Sequence, residues 1–103
     1  MTIRNRLVMS PMETMYGTPE GLPSPRTRDY FAARARGGVG LITVGATGID
    51  PRHPETPGGL HLGTDDAVAA HRAWWRRCTS TGPRFSRSSC TPDPTVWARS
   101  CIG

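Results

Sequence analysis

"PRTRDYFAARARGGVGLITVGATGI", residues 25–49, changes its periodicity halfway along, and that change decides the fold. The first half is rich in Ala and Arg. It opens with Ser24 followed by Pro25, an N-cap and then a proline at the first helical position, where the missing N–H costs nothing. Tyr30, Ala33 and Gly37 fall on one side of this helix and Phe31 and Ala35 on the adjacent side, giving a stripe able to face a core. Gly37-Gly38 ends it. Val39 to Ile49 is then nearly continuous apolar and β-branched sequence, the pattern of a strand buried on both faces of a parallel sheet.

Outward from this stretch the same alternation repeats. Before it, "RLVMSPM" (residues 6–12) reads as a short buried strand stopping at Pro11, and "YGTPEGLPSP" (16–25) is turn chemistry. After it, "DPRHPETPGGLHLG" (50–63) is a long Pro/Gly loop. Thr64 is a second N-cap, Asp65 and Asp66 suit the positive end of a helix dipole, and "DDAVAAHRAWWRR" (65–77) is a second helix. Strand, loop, helix, strand, loop, helix, with the long loops after the strands, is how a parallel α/β barrel begins.

Composition narrows the function. The chain has 103 residues and a formal charge of +5. A basic chain suggests an acidic partner, but all 13 basic residues are Arg, scattered from Arg4 to Arg99, whereas nucleic-acid binders group their cations and use Lys as well. Codon bias explains an all-Arg chain better. "RAWWRR" (72–77) is read as an apolar Trp near a helix end among solvated Arg, not as a nucleic-acid patch. No run is long and apolar enough for a membrane span and none resembles a signal peptide, so a cytoplasmic chain without membrane or nucleic-acid partner is expected. Cys78, Cys90 and Cys101 match no zinc spacing and are expected to be incidental thiols. His53, His61 and His71 share no spacing, and each is expected in a solvated or loop role. "GGVG" follows a helix where a phosphate loop would open one, so it reads as a helix stop.

Two motifs in order, "NRLVMSPM" (5–12) and "YFAARARGGVGLI" (30–42), together with "IDPR" (49–52), resemble the start of the NADH:flavin oxidoreductase family, the Old Yellow Enzyme group with its 2,4-dienoyl-CoA reductase type. The resemblance runs from Thr2 to about Trp75. It implies the N-terminal part of a (β/α)8 TIM barrel, about two βα units, with FMN at the carboxyl-end face. It also implies NADH or NADPH as reductant and hydride transfer through flavin N5 to the activated C=C bond of a small enone or enoyl substrate. By the same resemblance Ser10, Pro11 and Met12 match the turn whose backbone lies against the flavin, and Ala46 matches the small residue near the edge of its ring. Tyr16 matches a position that lines the substrate pocket in some members. Glu13 departs from the family's small or neutral residue, and a carboxylate there would oppose negative charge on reduced flavin.

From Cys78 the pattern changes: Ser, Thr and all three cysteines replace the apolar rhythm, and "GPRFSRSSC" (82–90) makes no buried strand. The family resemblance implies a strand of the form H-x-H-G-x-x-[IF]-[FL]-x-Q-L-x-H-x-G at this place. Codons for residues 78–93, read one base out of register, can spell that strand. The expectation is therefore a barrel segment over 1–77 and an irregular tail over 78–103, translated out of frame after a break between about Arg72 and Cys78. Such a chain by itself is expected to be catalytically inactive. The alternative is an authentic Ser/Arg-rich interaction segment, and for the whole chain a small Arg-rich binder of nucleic acid or another acidic partner.

Overall fold

A computed structural model describes residues 2–53, 56–79 and 84–87 of the chain. Its elements follow the alternation read above: β1 (Val8–Met12), α1 (Pro25–Arg36), β2 (Leu41–Val44), β3 (Thr47–Gly48), β4 (Leu60–His61), α2 (Asp65–Thr79) and β5 (Arg84–Arg87). The main sheet has the order β1-β2-β5 and is parallel throughout. Each new strand is laid beside the previous one, which is the succession of a barrel wall; a doubly wound sheet would reverse direction after the first pair.

β1 does not stop at Pro11. The ladder pairs Val8 with Leu41, Met9 with Ile42 and Met12 with Val44, so β1 carries one extra residue between Met9 and Met12. That bulge takes up Pro11, which has no N–H to give to a ladder. The apolar run Val39–Ile49 is likewise not one strand: β2 ends at Val44, and Thr47–Gly48 pairs separately, in parallel, with Leu60–His61. The break has a steric cause. A Cβ on Gly45 would lie 2.6 Å from the Met12 carbonyl oxygen and 2.7 Å from the Glu13 nitrogen, so the chain crosses the end of β1 at backbone contact.

Both caps form as read. Ser24 Oγ accepts from the Thr27 N–H at 3.2 Å, and Thr64 Oγ1 accepts from the Ala67 N–H at 3.2 Å. Gly38 ends α1 at φ +100, its N–H donating to the Ala35 carbonyl at 3.2 Å. The buried stripe of α1 is Thr27, Phe31 and Ala35, with Tyr30 half-buried; Ala33 and Gly37, expected to face the core, are exposed. On α2 the buried positions are Ala67, His71, Trp74 and Cys78. Together Phe31, Ala35, Trp74 and Cys78 cover Ile42 and Val44, the buried face of β2. Leu41 and Thr43 on its other face are only half-buried, since the described helices lie on one side.

Two readings near the end of the chain need correction. α2 runs to Thr79, two residues past the expected end, and keeps its stripe through Cys78, which is 1% exposed. Arg84–Arg87, assigned to an irregular tail, form a strand paired with β2 from Leu41↔Arg84 to Val44↔Arg87. Backbone hydrogen bonds make that pairing independent of an apolar side-chain pattern, which is why the pattern missed it. The rest of the expected tail, including Cys90 and Cys101, lies outside the described residues.

Replacing Phe31 with Ala opens the middle of this core and is expected to cost about 3–5 kcal/mol, whereas Ala33→Ser on the exposed face stays within about 0.5 kcal/mol. Urea unfolding of the two variants checks the assignment of faces.

Candidate functional site at the carboxyl ends of the strands

The loops after β1 and β3 meet on the side of the sheet where the strands end. Met12 and Ala46 line one shallow depression there, together with Glu13, Gly45 and Gly59; its volume is about 10 Å³. The parallel register sets Met12 beside Val44, and the Gly45 crossing brings Ala46 round to the same shelf. Met12 is 54% exposed and Ala46 half-buried. Ser10 and Pro11 precede Met12 on β1 and are exposed, but they do not line this depression. Nor does Tyr16: its ring lies under the Arg26 guanidinium, 3.9 Å from the centroid, and edge-on to Tyr30 at 5.9 Å. Its carbonyl accepts from the hydroxyls of Ser24 and of Thr27, the latter at 2.8 Å, which fastens the loop to the start of α1. Of the five site residues read from the sequence, the structure thus brings Met12 and Ala46 together.

A second, larger cavity of about 310 Å³ adjoins the shelf across the shared wall Gly58–Leu60. Thr18, Glu20, Thr56 and His61 contribute its polar lining. The turn from Thr18 to Leu22 is held by the Thr18 N–H to the Leu22 carbonyl at 2.8 Å, and Gly17 N–H donates to the Gly58 carbonyl at 2.8 Å. A Cβ at Gly17 would stand 2.7 Å from that carbonyl oxygen, so the two loops touch backbone to backbone.

The contacts of three groups here were not legible in the sequence. Glu13 Oε1 accepts from the Thr56 hydroxyl, which ties the residue after β1 to the loop before β4. His61 is 7% and His71 1% exposed, where a solvated or loop role was expected for each. Their burial follows from the β3–β4 pair, a contact of two-residue strands that no local pattern announces. Trp74 is buried and Trp75 half-buried while Arg72 and Arg76 are exposed, as "RAWWRR" was read.

Electrostatic contacts on this side are peripheral. Arg52 Nη2 lies 2.7 Å from Asp50 Oδ2, and Arg52's hydrogen bonds hold the Asp50 carboxyl far below its usual range. The Thr18 hydroxyl lowers Glu20 in the same sense. Among the described residues no helix is long and apolar enough to cross a membrane.

A parallel α/β wall with its long loops at the strand ends has the architecture of a segment of an α/β barrel. The comparisons narrow the class. The model of the "NADH:flavin oxidoreductase / NADH oxidase family" matches residues 1–82, and the chain belongs to that family. It is 43% identical over 70 residues to an NADH oxidase of Thermoanaerobacter brockii, covering 67% of this chain and 11% of that protein. It is 35% identical over 106 aligned residues to a metal reductase of Desulforamulus reducens, covering 93% of this chain and 16% of the relative. Among solved structures, an Old Yellow Enzyme from a Pichia species superposes with a TM-score of 0.77 at 24% identity, over 84% of this chain and 22% of that one. The chain therefore spans less than a quarter of the length of these relatives.

Because Arg52 holds Asp50 ionised, the Asp50 carboxyl is expected to keep its charge below the usual carboxylate range. In Arg52→Gln it is expected to return toward ordinary carboxylate behaviour. Side-chain carboxyl ¹³C titration by NMR reads both.

Proposed function

We propose that this chain forms the first two βα units of an eight-stranded FMN-dependent NAD(P)H oxidoreductase. The flavin would lie at the carboxyl ends of β1 and β2. One observation carries this reading: Met12, at the end of β1, and Ala46, just past the end of β2, matched to the flavin turn and the ring edge, line a single shelf. Gly45 makes that possible by removing the side chain that would hold the strand ends apart. A flat ring would lie across this shallow shelf, not within it. Met12 offers an exposed, polarisable thioether, Ala46 a side chain too short to obstruct, and the Thr56 hydroxyl engages the Glu13 carboxylate.

The residues of this chain would bind and orient. Ser10, Pro11 and Met12 would present backbone to the ring, Ala46 would set its edge, and Tyr16, held by Ser24 and Thr27, would stand on the substrate side. The flavin, when bound, would relay a hydride from NADH or NADPH through N5 to the activated C=C bond of an enone or enoyl substrate. Family membership and relatives named as an NADH oxidase and a metal reductase support the oxidoreductase class. The enone or enoyl class rests on the Old Yellow Enzyme resemblance.

Titrating the purified chain with FMN and with lumiflavin, which lacks the ribityl phosphate, tests this through flavin fluorescence. The proposed contacts are to the ring alone. The two ligands are therefore expected to bind within about threefold of each other, and Ala46→Trp to weaken both by about tenfold, about 1.4 kcal/mol. Binding unchanged in Ala46→Trp would sink the shelf as the flavin site.

A further inference from the structure

Among the described residues, Met15 alone of the non-glycines has a positive φ, +52. A long side chain rarely adopts that left-handed backbone, which Gly or Asn supplies in turns at little steric cost. A neighbour holds it there. Gly58, itself at φ +74, lies so close that a Cβ on it would stand 2.6 Å from the Met15 carbonyl oxygen. The Gly58 carbonyl in turn accepts from the Gly17 N–H at 2.8 Å. The chain on both sides of Tyr16 is thus laid backbone to backbone against the loop before β4. A turn alone would be served by glycine, yet a methionine side chain is kept at this strained position. It adds little to the core, being 60% exposed, and it lines the same shelf as Met12. Met9, by contrast, is half-buried and packs against the core cluster.

We propose that Met15 is a further ring-binding residue, and that a flat aromatic ligand lies across the two exposed thioethers of Met12 and Met15. The depression they border is too shallow to enclose a ligand, so affinity there has to come from contacts on one face of a ring. Thioether sulfur is polarisable and packs favourably against aromatic rings, and an unbranched side chain adjusts to a flat surface. The left-handed turn brings the second thioether onto the shelf, three residues after the first. Gly58 acts at one remove, because only a residue without a Cβ lets the Met15 backbone sit where it does. The ring meant is the flavin's, so the inference rests on the flavin reading above. It adds to that reading a contact outside the matched turn Ser10–Met12 and Ala46.

Protection from oxidation, measured on the 103-residue chain, reads the contact without any variant. Dilute hydrogen peroxide in the dark converts an exposed thioether to its sulfoxide, the peroxide being reduced to water. Peptide mass spectrometry then gives the rate at each methionine. With saturating lumiflavin, oxidation of Met15 is expected to slow severalfold together with that of Met12, while Met9 keeps its own rate. Met15 oxidising as fast with lumiflavin bound, as judged by flavin fluorescence, would overturn the proposal. Met15→Gly keeps the left-handed turn and removes the side chain. Its affinity for FMN and for lumiflavin is expected to fall about fivefold, the loss of one thioether–ring contact. Unchanged affinity in that variant would overturn the proposal as well. Fluorescence showing no flavin bound to the wild-type chain is a separate outcome, which would remove the flavin reading itself and this contact with it.

Discussion

Phe31 and Trp74, with ring centroids 5.2 Å apart, close over Ile42 and Val44, and this junction is where both helices and the central strand become one body. Fully burying side chains of this kind is worth about 1.5–3 kcal/mol each, a large share of what holds so small a unit together. It also sets the direction of everything else. With α1 and α2 anchored on the same face of β2, the connections after β1 and β3 have to emerge at one end of the sheet. The meeting of those loops is therefore a consequence of packing two rings over one strand.

At that end the contacts change character, from side-chain packing to backbone against backbone. Gly45 lies on the Met12–Glu13 peptide, Gly17 on Gly58, and Gly21 on the ring of His61. Each approach is closer than a Cβ would allow, and together they draw two irregular loops into a shelf and a cavity. The regular elements thus supply the anchoring, while the glycine-rich segments supply the shape. The hydroxyls of Ser24, Thr27 and Thr56 and the imidazole of His61 then fix loops that have little apolar surface of their own.

The elements around Tyr30–Val44 were legible because each was announced locally: a cap, a proline, a pair of glycines and a run of β-branched residues. The family resemblance rested on the same stretch, and the family match over residues 1–82 bears it out. Less legible were features that depend on a distant partner. The bulge at Pro11 exists because β1 must pair with β2, and the break at Gly45 because the chain must clear Met12. The burial of His61 and His71 needs β3 to find β4, and β5 needs only backbone partners, so an Arg- and Ser-rich segment gave no warning of it.

The sequence by itself determined the alternation of strand and helix, the two N-caps, the glycine stop of α1 and the family, since these are written in short-range preferences and in motif order. The tertiary structure decided which faces were covered, moved the end of α2 past Cys78, and brought Met12 and Ala46 onto one shelf. It also buried His61 and His71. Those outcomes turn on contacts between residues far apart in the chain, as between Glu20 and His61, 41 positions apart, and no local pattern encodes such a distance.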